Sequence, residues 1–270
     1  MPEGLEAELY RRSAEGALHR PIGSVDVDDR QPMASELRSV LPGAVFDRAE
    51  RLGKFVVLRL HGASAGALAL HFGMTGRLVV DGRAAITDLE YGSGRDDAAW
   101  DRLVIRFVDG GVLRVNDPRR WARFVLDPAL DRLGPDFLAV TADHLSTAFA
   151  RRRTPVKAAL LDQSVVAGYG NMCVDEVLWQ IGLSPLTPAR DVPPAAIRRL
   201  VEFAPSHLLG MLALGGSHRG TIDPDVRATV PPCPRDGTPM RREQVGGRTT
   251  LWCPSQQHQG APFVADWGPA

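Results

Sequence analysis

The chain has 270 residues, enough for one large domain or two modest ones, and its 44% hydrophobic and 24% charged residues are those of an ordinary globular protein. No apolar run approaches the roughly 18 residues of a membrane span, and the opening residues carry no basic leader followed by an apolar stretch, which excludes a spanning helix and a secretory signal. Three cysteines (Cys173, Cys233, Cys253) are too few and too odd in number for a disulfide framework, and a formal net charge of zero argues mildly against nucleic acid, so a cytoplasmic protein without a membrane partner is expected.

Residues 5–19 pattern as an amphipathic helix of good helix formers. Strand-like segments follow at 22–28, 43–50, 54–61, 66–72, 77–81, 102–108 and 111–116, several alternating apolar with polar residues and separated by Gly or Asp-Gly turns. This predicts an α+β chain that opens on one helix and an antiparallel β-sandwich. From about residue 130 the pattern turns helical: 142–152, 155–162, 173–182 and 193–213, the last read as one or two helices because Pro205 is a natural break. A loop is expected after Gly215-Gly216, then a short hairpin turning at Gly246-Gly247. Charge is uneven along this order. Residues 146–270 carry 13 Lys/Arg against 10 Asp/Glu, leaving 19 against 22 elsewhere. Arg119-Arg120, Arg151-Arg152-Arg153 and Arg241-Arg242 are either solvated faces or local phosphate-binding stripes.

Four groups of residues carry potential chemistry. Pro2 becomes terminal if Met1 is removed, and its secondary amine, with a pKa near the roughly 8 of an α-amino group, could attack a carbon and form an iminium; Glu3 and Glu6 stand close by to shuttle protons. His71-Phe72-Gly73-Met74-Thr75-Gly76 and Asp117-Pro118-Arg119-Arg120-Trp121 each follow a strand as a loop. Met, Arg and Trp on loops are side chains that wedge into a base stack, although Met74 could equally belong to a core and Trp121 to a packing anchor. Gly168-Tyr169-Gly170-Asn171 is a Gly-rich turn feeding a helix N-terminus, a weak anion signal. Cys233 and Cys253 stand where a four-cysteine zinc ribbon places the first residue of each knuckle, but Asp236 and Gln256 occupy the second positions.

Taken in order, these segments resemble the formamidopyrimidine-DNA glycosylase/endonuclease VIII family over roughly residues 2–257. The motifs are Pro2-Glu3 with Glu6, Lys54 in Leu-Gly-Lys-Phe, 71–76, 117–121, Leu-Gly-Pro-Asp at 133–136, the Lys157…Asp162-Gln163…Asn171 segment with Glu176, and Gly247-Arg248-Thr249-Thr250 before Cys253-Pro254. The resemblance implies a glycosylase with AP lyase activity in three parts: a catalytic β-sandwich over 1–132, a helix-two-turn-helix domain over 133–228, and a finger-like hairpin and tail over 229–270. It implies damaged double-stranded DNA clamped at a domain cleft by a monomer. Pro2 would attack C1′ and Glu3 would move protons through the eliminations that cut the strand on both sides. Glu6 and Lys54 would support the ring oxygen and the neighbouring phosphate. Asn171 and Arg248 would grip phosphates, with His71 and Lys157 also on the DNA-binding side, and Met74, Arg119 and Trp121 would fill the vacated stack.

The chain departs from the family pattern in four places. Leu5 replaces a proline in the opening motif. Trp121 replaces a smaller Phe. The stretch from Gly216 to Cys233 is much shorter than the segment that caps an oxidised purine, which points toward oxidised pyrimidines, ring-opened purines or bulkier adducts. The half-dismantled knuckles lead us to expect a finger without zinc and no cofactor, stabilised by Leu251, Trp252 and Pro254, with Phe263 and Trp267 as a second layer; a set of Cys233, Asp236, Cys253 and His258 is the remaining metal arrangement. Two alternative readings are a glycosylase specialised for bulky alkylated adducts and a damage-binding paralogue that does not cut.

Overall fold

A computed structural model describes residues 2–87 and 94–258, so Phe263 and Trp267 lie outside the described residues. The chain divides into two compact units, Met1–Arg132 and Leu133–Ala270.

Among the described residues of the first unit, α1 (Gly4–Ala14) precedes nine strands: β1 (Ile22–Val27), β2 (Val45–Leu52), β3 (Phe55–His61), β4 (Ala67–His71), β5 (Arg77–Val80), β6 (Arg83–Ala84), β7 (Asp101–Phe107), β8 (Val112–Asn116) and β9 (Arg123–Leu126), with α2 (Ala34–Val40) between β1 and β2. They form two antiparallel sheets, in the orders β1-β7-β8-β5-β6 and β2-β3-β4-β9. The apolar halves of the alternating strands meet in one core that includes Ile22, Phe46, Leu58, Leu70, Leu103, Val115 and Phe124. Tyr10 pins α1 to this core: its ring lies 4.3 Å from Phe72, and its buried hydroxyl donates to the Gly76 carbonyl at 3.0 Å. Leu5, the departure from the family's proline, is a fully buried residue in the first turn of α1.

The second unit holds α3 (Ala142–Phe149), α4 (Val156–Leu161), α5 (Asn171–Gln180), α6 (Pro194–Leu214), α7 (Pro224–Thr229) and the hairpin β10 (Arg241–Val245) and β11 (Arg248–Trp252). Pro205 does not break α6, which continues across it as a single helix. A mid-helix proline costs about 3 kcal/mol; here the buried stripe Leu200, Ala204, Leu208 and Leu212 runs through it at i, i+4 spacing and holds both halves on one face. The segment after Gly216 is not simply a loop. Asp223 caps α7 by accepting from Val226 N–H, and Pro224 fills the first helical position. Glu176 of α5 secures the approach to α7 by accepting from Ile222 N–H at 2.8 Å and from His207 at 2.9 Å. Burial alone would push the Glu176 carboxyl up, but these bonds and that from Gln180 outweigh it and hold it below the usual range. No helix among the described residues is long and apolar enough to cross a membrane.

Candidate functional site

The Glu3-Gly4-Leu5-Glu6 spacing builds a capping box at the start of α1: the Glu3 side chain accepts from the Glu6 backbone N–H, and Glu6 Oε2 accepts from Glu3 N–H at 2.7 Å. Both side chains are buried within one turn of the buried Pro2, at the N-terminal end of α1.

Lys54 sits in a two-residue turn. Leu52 pairs with Phe55, leaving Gly53 and Lys54 between them, and Gly53 takes the left-handed conformation at φ 58° that such turns require. Register then places Phe55 opposite His71 and His71 opposite Arg123, so Lys54, His71 and Arg123 lie at one end of the four-stranded sheet. Burial first, and the charges of Lys54 and Arg123 next, lower the His71 pKa to about 4. The ring is therefore neutral at physiological pH. Its Nδ1 accepts from Gly73 N–H at 3.2 Å, which leaves the ring proton on Nε2 as a donor. Because the folded pKa lies below the free value of about 6.5, the unfolded chain takes up the proton first as pH falls. Stability from this group is thus complete above pH 6.5 and lost toward pH 4. Denaturant unfolding at pH 4.5 and 7.5 should show a difference that shrinks in His71→Gln by up to about 3 kcal/mol; an unchanged difference would refute the assignment.

The two strand-end loops form one structure. Asp117 is fully buried and accepts from Thr75 Oγ1 and from the backbone N–H groups of Arg119, Trp121 and Ala122, at 3.1, 2.6 and 2.8 Å for the three amides. It ties Thr75 of the first loop to the turn that carries Arg119 and Trp121. Gly73, at φ 59°, permits the close approach of the loops, since a Cβ there would stand 2.7 Å from Trp121 Cβ. The result is a cluster at the surface. The Arg119 guanidinium lies 4.1 Å from the Trp121 ring centre and 3.7 Å from Met74 Sδ. Trp121 is 46% exposed, so it is not a core residue, while Met74 is half-buried.

In the second unit, Gln163 organises the Gly168-Tyr169-Gly170-Asn171 turn by accepting from Gly168 N–H and donating to the Leu161 and Tyr169 carbonyls. Gly168 has φ 111° and lies so close to the Phe137 ring that a Cβ would sit 2.3 Å from it. Asn171 opens α5 and its Nδ2 donates to the Thr249 carbonyl at 2.9 Å. Arg248 is exposed at the hairpin tip, where Gly246 packs against Ala158. Lys157 requires correction. It is fully buried, with Nζ 2.6 Å from Asp175 Oδ1 and 2.7 Å from Thr250 Oγ1, so its ammonium is committed inside the unit rather than offered at the surface.

The finger's buried cluster joins Cys233, Met240, Leu251 and Cys253 to Trp179 of α5 and to Ile222. Arg235 covers the Trp179 ring at 3.6 Å and donates to the Trp179 carbonyl. Trp252 is turned to Glu243, which accepts from its indole N–H. One oxygen or sulfur each from Cys233, Asp236 and Cys253 lies within 4.8 Å of the others. His258 instead exchanges backbone hydrogen bonds with Gly182 and Ser184. The fourth knuckle position, Gln256, donates its amide to Asp236 Oδ2 at 2.7 Å. That bond first, and Thr238 N–H next, hold the Asp236 carboxyl well below its usual range, while burial pushes the Cys253 thiol up. A structural zinc site wants four good ligands, commonly thiolate or imidazole. Here two thiols and one carboxylate are followed by an amide turned to the carboxylate, and the set does not fit zinc.

Sequence reasoning gave no role to Asp117, Asp175, Arg227 or Arg123. Two acids inside the otherwise apolar run Asn171–Gln180 were the available signal for a buried partner, because a charge in that setting must be paired.

Models of the formamidopyrimidine-DNA glycosylase N-terminal domain and of its H2TH domain match residues 1–124 and 133–221. The formamidopyrimidine-DNA glycosylase of Geotalea uraniireducens is 33% identical over 284 residues, covering 96% of this chain and 100% of that protein. The enzyme of the same name from Paracoccus denitrificans is 34% identical, covering 94% and 99%. Among solved structures, MutM in complex with DNA containing carbocyclic 8-oxo-G superposes with a TM-score of 0.79 at 25% identity, covering 96% of this chain and 100% of that one. The Lactococcus lactis Fpg bound to DNA containing an oxidised pyrimidine gives 0.78 at 23%, with the same coverage. Neither the non-cutting binder nor the bulky-adduct specialist is favoured by these relatives. The chain belongs to the formamidopyrimidine-DNA glycosylase family, and is a base-excision-repair DNA glycosylase and AP lyase.

Proposed function

We propose that the reaction runs through Pro2. With Met1 removed, the proline nitrogen attacks C1′ of the damaged nucleotide, the glycosidic bond breaks, and the base departs with the bonding electrons and a proton. The product is an iminium between Pro2 and the opened sugar, from which elimination cuts the strand. Glu3 moves the protons at the sugar, and Glu6, whose carboxylate receives Glu3 N–H, holds that turn in place. The observation that carries this reading is the capping box, which fixes two buried carboxylates in the turn directly after the amine. Lys54, His71, Asn171 and Arg248 take phosphates. Met74, Arg119 and Trp121 enter the stack that the flipped nucleotide leaves.

The segment from Gly216 to Cys233 bears on the choice of base. Ile222 and Arg227 are buried, and Glu176 and Asp175 hold them, so this short segment packs on α5 and offers little chain for a cap. Oxidised pyrimidines and ring-opened purines are therefore the favoured substrates. Borohydride trapping on a panel of lesion duplexes tests the whole reading. Covalent complex should form on abasic duplex and accumulate faster on oxidised pyrimidine than on 8-oxoguanine. The reverse order would overturn the specificity, and no trapped complex on any duplex would overturn the mechanism.

The finger in this reading holds its shape without metal, through the Trp179-centred cluster and the Asp236–Gln256 hydrogen bond. Treating protein purified without chelator with a strong chelator should leave its melting temperature and DNA affinity unchanged. Near-stoichiometric zinc, lost together with folding, would refute it.

A further inference from the structure

We infer that Lys157, Asp175 and Arg227 are positioning residues for Arg248: without touching DNA, they fix the Thr249–Thr250 peptide, one residue beyond it. The inference rests on the reading that Arg248 grips a phosphate. Three donors from three different helices converge on one acceptor, the Thr249 carbonyl: Arg227 Nη2 at 2.8 Å, Asn171 Nδ2 at 2.9 Å and Lys157 Nζ at 3.2 Å. Asp175 organises two of them: its Oδ1 forms an ion pair with Lys157 Nζ and its Oδ2 accepts from Arg227 Nη1, both at 2.6 Å, and Oδ2 also accepts from Leu251 N–H at 3.3 Å. Lys157 and Asp175 are shut off from solvent and Arg227 nearly so.

Stability alone is a weak reason for such a cluster, since well-packed apolar residues commonly serve as well as buried ion pairs. What apolar packing lacks is direction. Three hydrogen bonds converging on one carbonyl restrict the orientation of its peptide plane, and here that plane is one residue from an exposed arginine on a two-stranded hairpin. At the hairpin tip Gly246 packs against Ala158 of α4, a small contact, so the aim of the tip depends on bonds of this kind.

A double-mutant cycle tests the inference, using affinity for a duplex that contains a stable abasic-site analogue. Lys157→Met leaves the Asp175–Arg227 pair matched, and Arg227→Met leaves the Asp175–Lys157 pair matched, so neither strands a lone buried charge. Each should weaken binding about tenfold alone, yet weaken an Arg248→Ala protein by less than about twofold, because the lost effect runs through Arg248. The salt dependence should fall by about one phosphate in each single variant and no further in the doubles. Should either methionine variant lose its helical circular dichroism, Arg227→Lys, which keeps the charge but lacks the guanidinium's second arm toward Thr249, is read in the same cycle. Additive losses, with a further drop in salt dependence, would show direct phosphate contact and overturn the inference alone. Unchanged affinity in the single variants would overturn it as well. An Arg248→Ala protein that binds like the parent would overturn the reading of Arg248 and this inference with it.

Discussion

An uncleaved extension ahead of Pro2 is expected to abolish the borohydride-trapped complex and to lower base release and strand cleavage by roughly a thousandfold or more, the scale on which loss of a nucleophile is felt. The extension turns the proline nitrogen into an amide, whose lone pair is delocalised into the carbonyl and no longer attacks C1′. Affinity for an abasic duplex should survive, because the proposed phosphate and wedge residues are unaltered. Proteolytic removal of the extension to leave Pro2 terminal should restore trapping. Pro2→Ala is a weaker test, because it leaves a primary amine in the same place and lowers the rate without abolishing it. A full yield of trapped complex from the extended protein would move the nucleophile elsewhere. Lys54, in the turn at the same sheet end as His71, would be the next candidate, and Lys54→Met in the extended background would decide it.

Much of this molecule is legible in its sequence, for identifiable reasons. The seven expected strands correspond to strands in the two sheets because alternation reports directly on which side of a half-buried strand meets the core. The hairpin turn at Gly246-Gly247 is where the paired glycines put it, at φ 59° and 72°. Short elements escape such a reading. β9 has only four residues and adds its edge through pairing with β4, and α2 has seven, too few for a periodic pattern to stand out. α7 did carry a signal, Asp223-Pro224, in which the cap and the first-turn proline stand together. Lys157 shows the harder limit. Its place in the family motif suggested DNA, but whether a lysine points outward or into a unit is decided by a carboxylate 18 positions away in sequence, on a different helix. Sequence spacing within one helix does not report on such pairing. Trp121 was the reverse case: spacing left open whether the ring is buried, and the structure places it partly exposed with Arg119 over its face.

Asp117→Asn should be the most damaging single change in the first unit outside the reacting groups. The carboxylate offers two oxygens to four donors: Oδ1 receives Thr75 Oγ1 and Arg119 N–H, and Oδ2 receives the N–H groups of Trp121 and Ala122. An asparagine of the same shape must place an NH₂ at one of these positions. If it replaces Oδ2, two backbone N–H groups face another donor in a site closed to water; if it replaces Oδ1, the Arg119 amide does, and the Thr75 hydroxyl must turn round to accept. Hydrogen bonds to a charged group are worth about 1.5–3 kcal/mol each, and a buried donor left without an acceptor costs about 1–3 kcal/mol. Loss of two or more should destabilise the chain by about 3–5 kcal/mol and unfasten the loop that presents Arg119 and Trp121. Trp121→Ala gives the comparison. It removes a half-exposed ring and no buried acceptor, so stability should change by less than about 1 kcal/mol, while lesion binding falls by about 1–3 kcal/mol through lost stacking. Thermal unfolding and lesion-duplex titration on both variants separate the two effects. Asp117→Asn should lose both stability and lesion discrimination, and Trp121→Ala only the second. Equal melting temperatures for Asp117→Asn and the parent would show that Asp117 does not hold the loop, and a Trp121→Ala protein that binds and cuts normally would leave that ring without a role in recognition.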